Sequence, residues 1–473
     1  MAATLEADIC VIGAGSAGLV VAAGAAQMGA TVVLIEKGRM GGDCLNFGCV
    51  PSKAMLAAGR MAAMGARAAA MGVAYAEPEI DFAAVQDHVA GVIAAIAPMD
   101  SVARFEGLGV RVLQEEARFV ARNRVAAGGH EIRARRFVIA TGSRPMVPPI
   151  PGMDSIEYLT NESLFANREA PSHLVVIGAG PIGLEMAQAH HNLGSRVTVF
   201  EMAEPLGTED PETVALLIER LRADGIDIRA RTRVTAVARG AHGIDVSFDS
   251  VGGPGSVTGS HLLVAAGRVP VTEGLGLEVA GVATAPGGIV VDARMRTSNP
   301  KIYAIGDVSG GPQFTHVAGF QAGIALRNIL FRWPARANAR AIPHVTYTDP
   351  ELAHIGLTEA EARARGPVTI LRWPFAENDR AQTERDLEGL VKVIAGRRGK
   401  VLGASILGAG AGDLIMPWVL AIAAGLKLGT LAGVIAPYPT RSEAGKRAAF
   451  LYYLPSLSSP RVKRLVRFLA RFG

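Results

Sequence analysis

The chain has 473 residues, 49% of them hydrophobic, with 56 glycines and only three cysteines, which allows two to four domains and suits a large α/β protein. So few cysteines argue against a disulfide-scaffolded secreted fold. The N-terminus shows no basic segment followed by an apolar one, so we expect no signal peptide and a cytoplasmic location. The apolar stretch Leu414–Pro437 is interrupted by Pro417, Lys427 and several glycines, which favours a buried or interface helix over a membrane span.

The formal charge of +5 has a local origin, because residues 460–473 carry five basic side chains and no acidic one. The rest of the chain is formally neutral, so no nucleic-acid-binding surface is expected to spread over it. On a helix, Val462, Leu465, Val466 and Leu469 would share a face opposite the basic residues. Such a helix could lie on an anionic membrane surface, although packing against the protein with a solvated basic side is the favoured interpretation. The basic residues are Arg461, Lys463, Arg464, Arg467 and Arg471.

The first predicted unit consists of a strand, a glycine-rich turn, a helix and a second strand. Its elements are strand Ala7–Ile12, a helix to about Gly29 and strand Thr31–Glu36. In the turn, Gly13 permits the change of direction, Gly15 lets backbone amides approach a pyrophosphate, and Gly18 allows close packing of helix and strand. Glu36 ends the second strand, where a carboxylate can accept both ribose hydroxyls. Together these features predict a dinucleotide site.

Two cysteines, Cys44 and Cys49, follow this unit. On a regular helix they would be about 7.5 Å apart by rise alone, whereas a disulfide needs Cα atoms about 4.4–6.8 Å apart. The segment must therefore be distorted, which Gly48 makes easy, and Pro51 suits the first turn of a following helix. Cys49 would then lie near a helix N-terminus, which lowers a thiol pKa. The pair predicts a redox-active dithiol; the alternative is two unrelated buried thiols, the interpretation favoured for Cys10. No second Cys/His pair has the spacing of a zinc site, so no metal is expected.

The same pattern recurs after a proline-rich segment, Arg144–Gly152, which is typical of an interdomain crossover. The elements of this second unit are strand His173–Ile177, a helix to about Leu193 and strand Arg196–Glu201. Its glycine loop is Gly178-x-Gly180-x-x-Gly183. Glu201 closes the strand and no arginine occurs in the short turn after it, so the carboxylate would bind the 2′-hydroxyl of NAD and repel the 2′-phosphate of NADP. The sequence therefore predicts NAD rather than NADP at this site.

A third region begins near Ile342. Before it, an apolar strand ending in Ala304–Asp307 arrives after the second unit, so the first domain is expected to be discontinuous. The predicted elements of the third region are strands Val391–Ile394 and Val401–Ile406 and helices Thr358–Arg365 and Asp413–Gly425.

The chain resembles the pyridine nucleotide–disulfide oxidoreductases, specifically the class I branch of dihydrolipoamide dehydrogenase and mercuric reductase, over essentially its whole length. The resemblance rests on segments Gly41–Lys53, Ala140–Pro145, Ile177–Leu184, Ala266–Pro270, Tyr303–Asp307 and Tyr347–Glu351. It implies an α/β fold with two Rossmann-like domains, FAD in the first and NAD(H) in the second, and a C-terminal α+β domain that forms a homodimer. The expected boundaries are 1–150 and 271–341 for the FAD domain, 151–270 for the NAD domain, and 342–473 for the dimerisation domain with its basic tail 460–473.

The resemblance also implies residue roles. Cys49 would be the thiol beside the flavin, and Cys44 the interchange thiol that meets substrate. Lys53 would approach the flavin N5 region and pair with Glu185, since fixed positive charge suits a reduced, anionic flavin. Asp307 would bind the ribitol of FAD. The expected FAD contacts are Gly13, Gly15, Ser16, Ala17, Gly18, Glu36, Lys37, Gly42, Asp43, Lys53, Thr141, Gly142, Ser143, Asp307 and Ala318, and the expected NAD contacts are Gly178, Gly180, Pro181, Ile182, Gly183, Glu185, Glu201 and Gly267.

The sequence departs from the family at the acid–base position. Disulfide reductases of this family carry a catalytic histidine in a His-Pro-Thr-x-Ser-Glu segment supplied across the dimer, whereas this chain has Tyr438, with Glu443 retained. The ordinary pKa values of the two side chains differ by about 3.5 units, so a tyrosine would be a poor base for a dithiol at neutral pH. Tyr438 could still donate a proton to a leaving thiolate, and packing at the interface is the alternative. His316 could substitute, although a structural role is favoured for it.

Three functions follow as hypotheses. The leading one is an NAD(H)-linked flavoenzyme exchanging electrons with a disulfide or dithiol through Cys44 and Cys49, with dihydrolipoamide as the first substrate to consider and Tyr438 weighing against it. The second is mercuric-reductase-like reduction of a metal or another electrophile, weakened because the chain shows no C-terminal cysteine pair and no N-terminal metal-binding domain. The third is a redox-sensing or membrane-associated flavoprotein with little turnover, which would use the basic tail.

Overall fold

The computed structural model of the protein describes residues 3–337 and 341–472, so Gly473, the last residue of the predicted basic tail, lies outside the described residues. The first part of the chain forms a central sheet in the order β3-β2-β1-β6-β5-β4, with helices packed on it. The strands of that sheet are β1 (Ala3–Ile12), β2 (Val32–Ile35), β3 (Val110–Leu113), β4 (Ala117–Ala121), β5 (Arg124–Ala127) and β6 (His130–Ile139). Strand β7 (Ser143–Pro145) follows β6 outside that sheet. The helices of this part of the chain are α1 (Ser16–Gln27), α2 (Gly42–Asn46), α3 (Cys49–Ala62), α4 (Met64–Ala69), α5 (Phe82–Ile96) and α6 (Val102–Gly107).

Strand β1 begins four residues before its predicted start at Ala7. The apolar run alone predicted the buried end of the strand, where Ile9 and Val11 are fully buried. The additional residues Ala3–Glu6 are more exposed, and they extend the strand because their backbone continues the parallel ladder with β6. Such pairing depends on a partner more than a hundred residues away, which a local pattern does not reveal.

The second unit repeats this architecture. Its elements are α7 (Asn161–Leu164), β8 (His173–Ile177), α8 (Pro181–Asn192), β9 (Arg196–Phe200), α9 (Pro211–Ala223), β10 (Asp227–Arg229), β11 (Arg233–Gly240), β12 (Gly243–Ser250), β13 (Gly253–Gly259), β14 (His261–Val264) and β15 (Arg268–Pro270). A parallel sheet in the order β10-β9-β8-β14 carries the nucleotide-type loop, and β11, β12 and β13 form an antiparallel ladder. The predicted crossover pairs β7 with β15 in a two-stranded ribbon, so the chain passes between the two units there twice.

The chain then returns to the first sheet, as expected for a discontinuous first domain. The returning elements are α10 (Leu277–Ala280), β16 (Thr284–Ala285), β17 (Gly288–Ile289), β18 (Ile302–Ala304) and α11 (Thr315–Leu330). Strand β18 pairs in parallel with β6, and α11 packs closely on α1, where a Cβ added at Gly24 would lie 2.9 Å from a Leu326 methyl group. Apolar residues from both chain segments therefore share one core.

The C-terminal region is an antiparallel sheet in the order β19-β20-β23-β22-β21 with helices on one side. Its strands are β19 (His344–Thr346), β20 (Glu351–Gly356), β21 (Thr369–Pro374), β22 (Leu390–Ala395) and β23 (Val401–Gly408). Its helices are α12 (Glu359–Ala364), α13 (Asp379–Thr383), α14 (Ala411–Leu414), α15 (Met416–Ala424), α16 (Leu428–Gly433), α17 (Glu443–Leu451), α18 (Leu454–Leu457) and α19 (Pro460–Leu469). The single helix predicted over Asp413–Gly425 is two helices, because Pro417 has no N–H to donate across the junction.

A buried ion cluster joins this region to the second unit. The Lys392 ammonium on β22 is only 3% exposed and lies 2.8 Å from Asp210, 2.9 Å from Glu212 and 2.8 Å from Glu359. Asp210 also caps the N-terminus of α9. Removing the cation would leave the fully buried Asp210 carboxylate without its ion-pair partner, which typically costs about 3–5 kcal/mol. The cluster therefore fixes the C-terminal sheet against the N-terminus of α9 in the second unit.

Among the described residues, one helical stretch, Phe82–Gly107, is long and apolar enough to cross a bilayer by length and composition. It contains α5 and α6, a 3₁₀ turn at Ala97–Asp100, and Ser101, whose ψ of 153° is extended. The stretch is therefore not one continuous helix.

Candidate active site

The first glycine loop has a backbone that only glycine accommodates. Gly13 has a φ of +103°, and a Cβ there would lie 2.4 Å from the Ala140 carbonyl oxygen. A Cβ at Gly18 would lie 1.9 Å from the Gly13 carbonyl oxygen, so α1 can start this close to β1 only with a glycine at that point. The Glu36 carboxylate is fixed at the end of β2 because the Ala14 N–H donates to Oε2 at 2.6 Å and the Gly38 N–H to Oε1 at 2.7 Å.

The second loop has the same construction. Gly178 has a φ of +109°, and a Cβ there would lie 2.4 Å from the Ala265 carbonyl oxygen. A Cβ at Gly183 would lie 2.0 Å from the Gly178 carbonyl oxygen. The Glu201 carboxylate accepts the Ala179 N–H at 2.8 Å and the Ala203 N–H at 3.0 Å. Each unit thus holds one acid at the point where a ribose would lie beside the glycine loop.

The dithiol segment breaks into two helices between its cysteines. Cys44 lies in α2, Cys49 is the first residue of α3, and Gly48 caps α3 with φ −124° and ψ −112°. The predicted distortion and the predicted position of Cys49 at a helix N-terminus are both present. The third cysteine, Cys10, is fully buried in β1, as expected for a thiol that serves only packing.

The pKa values of the two thiols are shifted in opposite directions. The pKa of Cys49 is lowered to about 6, and the largest cause is a hydrogen bond from the Cys44 S–H. Thr315, whose Oγ1 is 3.5 Å from Cys49 Sγ, and the charge of Lys53 contribute to this lowering, and burial opposes it. The same hydrogen bond, together with burial, raises the pKa of Cys44. The neighbouring thiol is thus the largest cause of this low pKa. Cys49 is the thiolate of the pair at neutral pH.

A lysine–glutamate pair lies beside the dithiol. Lys53 Nζ is 2.7 Å from Glu185 Oε2, so the expected ion pair is present, and the Glu185 side chain is only 4% exposed. Glu185 Oε1 accepts the Tyr347 N–H at 2.9 Å, and the Lys53 ammonium lies 4.3 Å from the centre of the Tyr347 ring. A cation over an aromatic face gains a further attraction, so Glu185 and the Tyr347 ring together fix the lysine in place.

A polar network holds the predicted ribitol-binding acid. The Ser143 hydroxyl donates to Asp307 Oδ2 at 2.6 Å, and Arg268 donates to the Ser143 hydroxyl at 2.7 Å and lies 3.1 Å from Asp43. Burial raises the pKa of Asp307, and the Ser143 hydrogen bond opposes that effect. Thr141, in contrast, donates to the Val271 carbonyl oxygen at 2.7 Å.

One cavity of about 1970 Å³ connects both loops and the dithiol. Most predicted site residues line it, namely Gly13, Gly15, Ser16, Ala17, Glu36, Lys37, Gly42, Asp43, Cys44, Cys49, Lys53, Thr141, Gly142, Ser143, Gly178, Gly180, Pro181, Ile182, Glu185, Glu201, Gly267, Asp307 and Ala318. Gly18 and Gly183 instead pack under the loops. Single-ligand pockets usually measure about 300–1,000 Å³, so this cavity has room for two dinucleotides.

Tyr438 and Glu443 do not line this cavity in their own chain. Tyr438 is 69% exposed, and its hydroxyl donates to Asp379 Oδ2 at 3.1 Å. That hydrogen bond raises the pKa of Tyr438, which therefore stays protonated to higher pH than a free tyrosine. His316 does line the cavity, but its Nε2–H donates to the Pro343 carbonyl oxygen at 2.9 Å, and burial lowers its pKa.

Four contacts of the site could not be found from the sequence alone. Thr315 reaches Cys49 from 266 positions along the chain, and Asp379 reaches Tyr438 from 59. Arg268 lies in a motif that carried the resemblance but had no assigned role. Arg231 lies beside the turn after Glu201, where its backbone N–H donates to the Ala203 carbonyl oxygen and its side chain pairs with Glu204.

The fold and the site together define a two-nucleotide flavoprotein. The family described as "Pyridine nucleotide-disulphide oxidoreductase" matches residues 7–322, and its dimerisation domain matches residues 342–449. The chain belongs to this family. It is accordingly an FAD-containing, NAD(P)-linked oxidoreductase that acts on a sulfur group, and its dimerisation domain supports a homodimer.

Among curated relatives, the chain is 40% identical to a mercuric reductase of Streptomyces lividans, over 93% of this chain and 95% of that protein. It is 35% identical to a dihydrolipoyl dehydrogenase of Geobacillus stearothermophilus, over 94% of this chain and 96% of that protein. Among solved structures, LpdA from Mycobacterium tuberculosis superposes with a TM-score of 0.86 at 27% identity, covering 95% of this chain and 99% of that one. The Cu(II) complex of the HOCl-induced flavoprotein disulfide reductase RclA from Escherichia coli superposes with a TM-score of 0.83 at 29% identity, covering 92% and 98%. These relatives have different substrates, so they define the class of enzyme but not its acceptor.

Proposed function

We propose that the protein is an NADH-dependent reductase that uses the Cys44/Cys49 dithiol to reduce an electrophilic acceptor, a disulfide in the first instance. The observation that supports electron flow from NADH to the acceptor is the contrast between the protonation states of Cys49 and Tyr438. Cys49 is a thiolate at neutral pH, whereas Tyr438 is held protonated by Asp379. A dithiol that already holds a thiolate can give electrons without a strong base.

The cavity-lining residues suit the two cofactors. The first loop, Glu36 and Asp307 would hold FAD, and the second loop and Glu201 would hold the nicotinamide nucleotide. FAD, when bound, accepts a hydride from the nicotinamide and exchanges two electrons with a dithiol. Lys53, held by Glu185 and Tyr347, places fixed positive charge on the cavity wall beside Cys49, which stabilises anionic groups there.

The two thiols supply both electrons that reduce the acceptor disulfide, and protons are exchanged with solvent. Cys44, after passing its proton to Cys49 through their hydrogen bond, attacks one sulfur of the acceptor disulfide and releases the first thiolate, which takes up a proton. The Cys49 proton passes to solvent, and the Cys49 thiolate then attacks the Cys44 sulfur of the mixed disulfide and releases the second thiolate, which is protonated in turn. The acceptor gains two electrons and two protons, and Cys44 and Cys49 end as a disulfide.

Oxidation of dihydrolipoamide requires proton transfer in the opposite direction, from the substrate thiols to the enzyme or solvent. Both substrate thiols must lose protons, and the removal of the first one calls for a general base, which contributes typically about 10²–10⁴-fold to rate. Tyr438 cannot serve as that base at neutral pH, because a phenol is protonated there and the hydrogen bond to Asp379 raises the pKa of Tyr438 further. We therefore expect slow dihydrolipoamide oxidation at neutral pH.

A soft metal ion is a second candidate acceptor. The mercuric reductase of Streptomyces lividans is similar over nearly the whole length of both chains. Two adjacent thiols are soft ligands that suit such ions. Within residues 3–337 and 341–472, no group of three or more His, Cys, Asp or Glu side chains is arranged to hold a metal, so an ion would bind through the thiol pair itself.

The test compares wild type with Tyr438→His and Tyr438→Phe. Wild type should oxidise NADH with a small aromatic disulfide at neutral pH and form NADH from dihydrolipoamide only slowly. Tyr438→His should raise dihydrolipoamide oxidation at pH 7–8 by up to about 10²–10⁴-fold, and Tyr438→Phe, which keeps the ring, should leave disulfide reduction nearly unchanged. Wild-type dihydrolipoamide oxidation as fast as disulfide reduction at neutral pH would contradict the proposal. Mercuric chloride with excess thiol as acceptor tests the second candidate in the same assay.

A further inference from the structure

The C-terminal helix α19 is amphipathic and stands apart from the body of the protein. It runs from Pro460 to Leu469, has no buried residue, and is capped by the Ser459 side chain, which accepts the Val462 N–H. The family's dimerisation domain ends its match at residue 449, before α18 and α19 begin. The sequence favoured packing of this segment against the protein, and the structure instead leaves its apolar side uncovered.

The second half of α19 and the turn after it present a continuous exposed apolar surface. Side chains at helical spacing from Leu465 onward are each more than half exposed, namely Leu465 (54%), Val466 (59%), Phe468 (53%), Leu469 (54%) and Phe472 (74%). Large apolar side chains grouped in this way usually mark a contact surface. The opposite side carries Arg464, Arg467 and Arg471 at the same spacing, with Lys463 beside them, all exposed.

The charge of the molecule favours one occupant for this surface. The tail holds five basic residues and no acid, whereas the rest of the chain has 43 basic and 43 acidic side chains. A second copy of a formally neutral body offers no surplus of acid to meet the tail. An anionic lipid headgroup layer does, and its acyl region accepts the apolar face of a helix lying in the interface.

We propose that residues 460–472 bind an anionic phospholipid bilayer as an interfacial helix, with the aromatic and aliphatic face inserted and the arginines at the headgroups. The enzyme would then work as a peripheral protein whose acceptor is met at or near the membrane surface. This inference does not depend on the direction of electron flow proposed above.

The experiment is co-sedimentation of the FAD-loaded, full-length protein with vesicles of phosphatidylcholine alone or mixed with phosphatidylglycerol. Two tail variants are compared: Arg464→Gln with Arg467→Gln, and Leu465→Ser with Leu469→Ser. Each has a matched control elsewhere on the surface, Arg111→Gln with Arg239→Gln, and Leu216→Ser with Leu387→Ser, which alters exposed residues of the same types. NADH-dependent disulfide reduction and native mass are measured for every variant.

We expect wild type and both controls to bind the phosphatidylglycerol vesicles, and binding to weaken as salt is raised. Each lost arginine should lower the partition coefficient about fivefold, so the arginine variant should bind roughly 25-fold more weakly. The leucine variant should also detach, while both variants keep their reductase activity. Wild-type binding equal for both vesicle types, or absent, would overturn the proposal, as would retention by either tail variant. Loss of the native dimer mass in the tail variants without any vesicle binding would assign the surface to a second copy instead.

Discussion

The two glycine loops have nearly the same backbone, and their surroundings differ. Gly13 and Gly178 have φ values of +103° and +109°, and the third glycine of each loop would place a Cβ within about 2 Å of the first glycine's carbonyl oxygen. The difference lies at the middle glycine. A Cβ at Gly15 would lie 3.9 Å from the Cα of Gly42, where α2 begins, whereas a Cβ at Gly180 would meet no protein atom within 4 Å.

The helix that carries Cys44 therefore packs on the first loop, whereas among residues 3–337 and 341–472 no element packs on Gly180 in the same way. A ligand under a packed helix can leave only if that helix moves, whereas a ligand at an open loop can exchange freely. We therefore expect FAD to stay bound at the first loop while NAD(H) exchanges at the second. The same helix carries Cys44, so the dithiol lies beside the first loop.

The largest expected effect comes from methyl groups placed in the two loops. In Gly18→Ala the new Cβ would lie 1.9 Å from the Gly13 carbonyl oxygen, so the first loop must distort. We expect the purified variant to carry at least about tenfold less FAD, measured as flavin absorbance per protein. Gly183→Ala is the matched change, with its Cβ 2.0 Å from the Gly178 carbonyl oxygen, and should keep FAD but lose reduction by NADH. Equal loss of FAD in both variants would contradict the assignment of FAD to the first loop and the nicotinamide nucleotide to the second.

A smaller effect is expected from the cover of the first loop. Gly42 has a φ of +61°, and a Cβ there would lie 2.6 Å from the Gly15 Cα, so Gly42→Ala should push α2 away. Since the left-handed conformation costs an L-residue about 1–2 kcal/mol, FAD should dissociate about 5–30-fold faster. Gly180→Ala should leave the FAD dissociation rate unchanged. Unaltered dissociation in Gly42→Ala would show that α2 does not retain the cofactor.

The pH dependence of Cys49 reactivity should respond to a change beside the first loop and not to a change at the second loop. The thiolate is the reactive form, so alkylation of Cys49 in the reduced enzyme should increase with pH around a midpoint of about 6 and then level off. Cys44→Ala removes the main cause of that low pKa and should move the midpoint up by a unit or more. Glu201→Gln, at the second loop, should not move it. The midpoint is read from iodoacetamide labelling rates, and a wild-type midpoint near that of free cysteine would refute the assignment.

The smallest expected effect concerns nucleotide choice at the second loop. Glu204 neutralises Arg231 beside the turn after Glu201, so Glu204→Ala would free an arginine near the 2′ position of the nucleotide. Because an exposed ion pair is worth about 0–1 kcal/mol, kcat/KM for NADPH should increase by up to about fivefold. The control is Glu219→Ala, which removes an exposed acid on α9. It should leave the ratio of kcat/KM for NADH to kcat/KM for NADPH unchanged.

The sequence could predict features that depend on neighbours in the chain. The two strand–turn–helix units, the break between the cysteines and the acids Glu36 and Glu201 all follow from local spacing, and the structure shows each of them. Features that depend on distant partners could not be predicted. Thr315 and Arg231 approach the site only because separate segments pack together, and the early start of β1 needs the ladder with β6. The apolar face of α19 is uncovered in the single chain, and amphipathic spacing alone could not identify the surface that it meets.

The most direct test of the account is to compare wild type with Cys44→Ser in two measurements on the same FAD-loaded protein: reduction of the flavin by NADH under anaerobic conditions, and NADH oxidation with a disulfide acceptor. The account predicts that NADH reduces the flavin in both proteins and that disulfide reduction by Cys44→Ser falls by at least about 10³-fold, because the attacking sulfur is missing. Disulfide reduction by Cys44→Ser at the wild-type rate would contradict electron transfer through the Cys44/Cys49 pair.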